Sequence, residues 1–291
     1  MKYRWSRIAG IVLTFVLPLT NLISAAIVVM TARRYGGQTA VLDVAVSMAL
    51  LAGLLAFSGS GAEGAAALTA SLGAGALWGG ALLSGILLRR YQSVDLAVQA
   101  LVVLALLGVL AAGVVIQDPR AYWQPVLEAL IQAAGLPQKS GLPAGWLGTV
   151  STLMHGVIGA SLLSTLVLAV MLGLWLDRGS TGAEWRRRFL ELRLGRVLSL
   201  AAGVATLLTF AGFVSVGGAA LLVLGTGFAT QGLAIIHWTA DQRRWPRIWP
   251  LALYGPLLLG APPAGLVLVA LAVAGVVDNA FALRRQPANV V

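Results

Sequence analysis

Six stretches of this chain are predominantly apolar for about the thickness of a bilayer's hydrocarbon core: Val41–Phe57, Ala65–Leu88, Leu96–Ile116, Leu147–Leu176, Val197–Val214 and Val216–Trp238. About 20 apolar residues in a helix cross about 30 Å of hydrocarbon. In lipid a backbone must satisfy its own amides and carbonyls, which leaves helices or closed barrels. Continuous runs, as opposed to short alternating segments, select helices. Two further segments, Trp249–Gly260 and Ala264–Leu283, flank Pro262-Pro263. The expectation is an all-α, polytopic transmembrane bundle of about eight membrane segments, folded as one integral membrane domain over residues 1–291.

Composition agrees. Of the 291 residues, 59% are apolar and 10% are charged, with a mean hydropathy of +0.90. Soluble domains carry about 25% charged residues, so this balance excludes a soluble domain. It equally excludes a disordered chain, which needs low hydrophobicity and high charge. The net charge of +10 sits in short clusters between apolar runs, so it belongs to membrane loops and anionic headgroups and not to a nucleic-acid face. With no cysteine there is no disulfide framework or thiol nucleophile, and nothing among the two histidines and few carboxylates has metal-ligand spacing. No phosphate loop or nucleophile elbow occurs, and neither a cofactor nor a catalytic set is expected.

The basic clusters set the expected topology. Every Lys and Arg except Arg120 and Lys139 falls on one face if loops alternate and residues 8–30 enter and return on the same side. That face is the cytoplasmic one, giving a multi-pass bacterial inner-membrane protein with both termini inside. Pro18-Leu19-Thr20-Asn21 interrupts residues 8–30. Proline removes a backbone donor and breaks the helix there. The favoured reading is a retained re-entrant hairpin; the alternative is one kinked span with the N-terminus outside.

Two surface helices are amphipathic. In residues 118–134, Tyr122, Val126 and Leu130 recur at i, i+4 beside Trp123, Leu127 and Ile131, with Gln124, Glu128 and Gln132 opposite. Pro125 suits the first turn of a helix starting near Gln124. This helix is expected to lie flat on the outer surface. In residues 181–196, Thr181-Gly182-Ala183-Glu184 reads as a capping box, and Glu184–Arg188 and Arg187–Glu191 are i, i+4 pairs. It is placed inside, where Arg186, Arg187 and Arg188 form a candidate docking surface for a partner.

Polar side chains at membrane depth are functional candidates. Asn21 sits beside the break, where freed backbone groups can bind a solute. Thr230 and Gln231 lie along one helix that His237 closes, and Thr230 and His237 share a face. His237 could titrate near neutral pH or anchor the helix at the interface. Asp278 stands in an apolar helix and requires a basic partner; Arg193 and Arg196 are nearest in expected depth. Asp43 and Asp95 suit the positive ends of helices.

The stretches Phe189-Leu-Glu-Leu-Arg193-Leu-Gly195-Arg196 and Gln231–His237, the Pro262-Pro263 turn with Gly275-Val-Val-Asp278 and Arg284-Arg285, and Asp118–Trp123 resemble a bacterial membrane-protein family. It is the YybS-like family, also called domain of unknown function 2232. The family is similar in fold to the membrane subunits that bind substrate in energy-coupling-factor vitamin transporters. The resemblance implies a helical bundle with a small-molecule pocket and a cytoplasmic face that docks a partner. Two functions follow as expectations. One is a transporter-like subunit binding a small molecule through Asn21, Thr230, Gln231 and His237. The other is a non-catalytic scaffold recruiting a membrane or cytoplasmic protein through Glu184–Arg196.

Overall fold

The apolar runs fold as helices because only intrahelical bonds keep their amides and carbonyls paired away from water. A computed structural model describes residues 2–17, 20–56, 62–135, 145–177, 182–246, 248–258 and 261–284. The described residues hold α1 (Lys2–Val16), α2 (Asn21–Tyr35), α3 (Gly37–Ala56), α4 (Ala62–Tyr91), α5 (Val94–Val115), α6 (Pro119–Ala133), α7 (Trp146–Leu176), α8 (Gly182–Leu190), α9 (Gly195–Phe210), α10 (Val214–Gln242), α11 (Ile248–Leu258) and α12 (Ala261–Phe281). No strand occurs among them.

Among the described residues six helices are long and apolar enough to cross a membrane: α3, Thr69–Tyr91 of α4, α5, α7, α10 and Pro263–Phe281 of α12; a seventh span is counted if α8 and α9 form one. The sequence suggested about eight. The difference lies in two places. At about 1.5 Å per residue, the 11 residues of α11 reach only about 17 Å, too short to cross by themselves. The 16 residues of α9 reach about 24 Å, short of a bilayer core on their own. The long helices turn apolar faces outward, and only 17% of the α12 window is buried.

The chain divides into two compact units. Unit 1 comprises Met1–Leu101 and Ser164–Leu192; unit 2 comprises Val102–Leu163 and Arg193–Val291. The helices α5 and α7 contribute to both.

In unit 1, α2 is the central element. Ser24, Ala25, Ala26, Val28, Val29, Thr31 and Ala32 are all buried. Helix backbones approach α2 closely where glycine faces it. A Cβ on Gly85 of α4 would stand 2.8 Å from the Val29 carbonyl oxygen, and one on Gly173 of α7 would stand 3.0 Å from that of Ala26. Ser24 ties three helices together: Trp78 Nε1 donates to Ser24 Oγ at 2.8 Å, and Ser24 Oγ donates to the Ile11 carbonyl at 2.8 Å. Trp78 is fully buried and meets Phe15 edge-on at 5.1 Å.

Helices α1 and α2 run in opposite directions, side by side. Ile11 faces Ser24, and earlier in α1 the Arg7 guanidinium stacks 4.5 Å over the ring of Tyr35 at the end of α2. The two arms of 15 residues therefore form a helical hairpin with their charged ends together. Pro18 and Leu19 lie outside the described residues. The charged end is pinned by ion pairs. Asp43, fully buried, accepts from Arg4 Nε at 2.9 Å and from Arg7 Nε and Nη2 at 2.9 and 2.8 Å. Arg33 reaches Asp177 at 2.7 Å, and Arg89 donates to the carbonyls of Arg33 and Arg34, closing the end of α2. The helix-dipole explanation of Asp43 thus gives way to a direct two-arginine clamp.

The outer helix forms as expected, whereas the inner one, expected over 181–196, ends at Leu190, and Gly195 and Arg196 open α9 instead. Asp118 caps α6 by accepting from the Ala121 amide at 3.0 Å, with Pro119 at the first position. The helix begins there and not near Gln124, because the Asp-Pro pair supplies a complete start signal. Pro125 consequently lies within the helix. In α8, Glu184 and Arg188 make the expected i, i+4 pair. Thr181 of the expected capping box lies outside the described residues.

Candidate functional site

In unit 2, α9, α10 and α12 pack around a polar cluster inside otherwise apolar helices. The seam between α10 and α12 is built on glycine. A Cβ on Gly232 would stand 2.0 Å from the Leu271 carbonyl oxygen, and one on Gly275 would stand 2.2 Å from that of Phe228. The later glycine of one helix meets the earlier contact of the other, so α10 and α12 run in opposite directions with their backbones touching. Close backbone approach of this kind is what small residues provide between helices.

This contact brings Gln231 and Asp278 together. Gln231 is fully buried and Asp278 is 1% exposed. Gln231 Nε2 donates to Asp278 Oδ2 at 2.9 Å and to Asn279 Oδ1 at 3.1 Å. Its Oε1 accepts from the amide of Leu194 at 2.9 Å. One side chain thus joins all three helices. Asn279 completes the tie: its Nδ2 donates to the Gly195 carbonyl and to Ser199 Oγ, both at 3.1 Å. The start of α9 is therefore held from two sides. Gly195, with φ +81, supplies the left-handed residue that this start requires.

Asp278 has the basic partner its position demands, and that partner is Arg284, at 2.6 Å from Nη2 and 3.2 Å from Nε to Oδ2. Arg193 and Arg196, expected in this role, line the neighbouring cavity. The reason is local. The chain turns back after α12 through Ala282 at φ +50, with the Ala282 amide bonded to the Asp278 carbonyl, and this folds Arg284 against the carboxylate six residues earlier. The positive-inside count set Arg243, Arg244 and Arg284 on one face. Along α10 they stand apart, since Arg284 meets Asp278 beside Gln231, 11 residues or about 17 Å before Gln242.

A cavity of about 210 Å³ opens beside the cluster, lined by Arg193, Gly195, Arg196, Asp278, Asn279 and Ala282. Oδ2 of Asp278 is saturated by Gln231 and Arg284, whereas Oδ1 is buried with no hydrogen-bond partner. A helix N-terminus also borders the space: α9 has no side-chain cap. Its first-turn amides carry partial positive charge. Chemically, the arrangement can bind a polar or anionic solute. Among the described residues no group of three or more His, Asp or Glu side chains could hold a metal ion.

The other expected site residues are dispersed. Thr230 adjoins Gln231 but bonds back to the Thr226 carbonyl at 3.0 Å within its own helix. His237 Nε2 lies 2.8 Å from the Tyr254 hydroxyl, joining α10 to α11. Asn21 is the exposed first residue of α2, in unit 1. Also in unit 1, Arg186 and Arg187 are exposed on α8, and Arg188 pairs with Glu184 and donates to the Gln92 carbonyl at 2.6 Å. Sequence reasoning missed Asn279 and the role of Arg284. The adjacent polar pair Asp278-Asn279 inside an apolar helix was the available signal.

No family model, curated protein or solved structure matches this chain. The functional reading therefore rests on the geometry of the cluster.

Proposed function

We propose that this chain is a multi-pass protein of the bacterial inner membrane that binds a small polar solute in the cavity between α9 and α12, in a transporter-like and non-catalytic role. The observation that carries the reading is the buried, hydrogen-bonded group Gln231–Asp278–Asn279–Arg284, of which Asp278 and Asn279 line a cavity within apolar helices. Polar groups in such helices cost free energy and mark solute pathways when they converge on a cavity. The resemblance to YybS-like proteins points the same way. Of the four residues expected to bind solute, Gln231 keeps a place in the site, as the side chain that positions Asp278 and the start of α9.

The test is thermal unfolding of the purified protein in lipid nanodiscs against a library of small polar metabolites. A restricted set of ligands should raise Tm, and Arg196→Gln should remove the effect. Uptake of the same ligands by proteoliposomes examines the transport component. Failure of every solute to stabilise the protein overturns the reading. The scaffold reading keeps one supporting observation, the exposure of Arg186 and Arg187 on α8. Charge reversal at Arg187, followed by pull-down from native membranes, should then lose a stoichiometric partner.

A further inference from the structure

The three long helices of unit 2 are offset along the membrane normal, and their contacts give the offsets. Gly232 of α10 meets Leu271 of α12, and Phe228 meets Gly275, so Leu266 falls about level with His237. On the other side Leu194 bonds Gln231, and Gly217 meets Thr209 of α9. Arg196 therefore falls about level with Thr230, and Phe210 about level with Val216. Phe210 and Leu266 are both exposed apolar side chains. Measured along α10 at about 1.5 Å per residue, their levels are about 30 Å apart, which is the thickness of one hydrocarbon core.

The apolar surface of α9 stops short of that thickness. Leu200, Gly203, Leu207 and Phe210 share one exposed face, with Val197 and Val204 beside it. Arg196 is exposed at the head of this stripe. From Arg196 to Phe210 the helix rises only about 21 Å. The backbone of Arg196 thus lies about 10 Å inside the boundary that Leu266 marks. Among the described residues no carboxylate pairs with Arg196, and Asp278, which lines the same cavity, is taken by Arg284. A cation facing lipid at this depth is costly. The cost falls when the side chain snorkels and the bilayer thins to bring headgroups to it. The arginine stem leans toward the start of its helix, which covers part of the gap. Lipid must supply the rest.

The polypeptide leaves room for a headgroup here. Helix α12 ends at Phe281, the chain turns at Ala282, and Ala282 and Arg196 line one cavity. Irregular backbone at membrane depth is tolerated where protein covers it or where it borders a wetted space. We propose that the bilayer is pinched beside α9, and that a phospholipid of the leaflet on the Leu266 side sets its phosphate on Arg196 and lays an acyl chain along Leu200, Leu207 and Phe210. This site is on the lipid-facing side of α9 and needs no solute in the cavity.

The experiment uses the full chain in an uncharged detergent, incubated with dioleoyl phosphatidylglycerol or with dioleoylglycerol, which has the same chains and no phosphate. Native mass spectrometry reads the lipid retained. Phosphatidylglycerol should be held and dioleoylglycerol should not. Arg196→Leu should weaken retention about tenfold, and Arg196→Lys should keep most of it. Arg243→Leu, at an exposed arginine just beyond α10, should leave it unchanged. Should Arg196→Leu fail to fold, Arg196→Gln carries the same comparison. A second readout is Tm in phosphatidylcholine nanodiscs with myristoleoyl, oleoyl or erucoyl chains. The unaltered protein should be most stable in the thinnest bilayer, and Arg196→Leu, which lengthens the apolar stripe, should move the optimum to a thicker one. Equal retention of the two lipids, equal loss in the Arg196 and Arg243 variants, or one thickness optimum for both proteins overturns the proposal. Displacement of the lipid by inorganic phosphate overturns it by assigning Arg196 to a free anion. A lipid-free dimer overturns it by assigning the stripe to a second copy.

Discussion

Nε2 of Gln231 lies 2.9 Å from Oδ2 of Asp278, and neither side chain reaches the surface. Because the same amide also accepts from Leu194, its loss strands groups on two other helices. Gln231→Leu is expected to destabilise the protein by about 2–4 kcal/mol, as two buried partners lose bonds. The reduction in Tm in detergent checks this. Thr230→Val, which removes only a bond within α10, should change Tm by far less.

The contact between α10 and α12 yields a matched pair of substitutions. Gly232→Ala places a methyl group 2.0 Å from the Leu271 carbonyl oxygen, so the backbones must separate. Overpacking of this kind costs about 1–3 kcal/mol. Gly225, on the same helix, has nothing within 4 Å. Gly225→Ala should be neutral or slightly stabilising, since alanine is the better helix former. Equal effects of the two substitutions on Tm would contradict the seam.

The Asp43 clamp predicts unequal contributions from its two arginines. Asp43→Asn leaves Arg7, whose side chain is 12% exposed, without its counter-charge and should cost about 3–5 kcal/mol. Arg4 is 41% exposed, so Arg4→Gln should cost less than about 1 kcal/mol. Protease sensitivity of the first hairpin, compared across the two variants, reads the difference.

The hairpin of α1 and α2 can be tested by labelling, because the chain contains no cysteine. Single cysteines at Trp5 and Gln38, both exposed, should react with an impermeant thiol reagent from the same side of sealed vesicles. A single kinked span would expose them on opposite sides.

How far the sequence alone reached depended on the range of the interaction. The helices were legible because their cause, an unbroken apolar run, is local. The break at Pro18 announced the hairpin, and the i, i+4 pattern announced α6 and α8. Asp278 was recognised as needing a basic partner, since burial cost belongs to the residue itself. Which arginine answers it was hidden, because the fold-back at Ala282 depends on a left-handed residue that composition does not reveal. The joint role of Gln231 and Asn279 was hidden for a similar reason: it requires α10 and α12 to run in opposite directions, and a short α11 joins them where a full span was expected. Asn21 looked informative because it flanks the break, yet it is exposed at the first turn of α2.

The glycine seam also governs how a guest could come and go. With the backbones of α10 and α12 already touching at Gly232 and Gly275, α12 has no room to retreat toward α10, and so the side of the chamber that Asp278 and Asn279 form is fixed. The turn at Ala282 closes another side of the chamber, and it too is held, by the bond from its amide to the Asp278 carbonyl and by the Arg284–Asp278 ion pair. A guest must therefore fit the chamber as it stands.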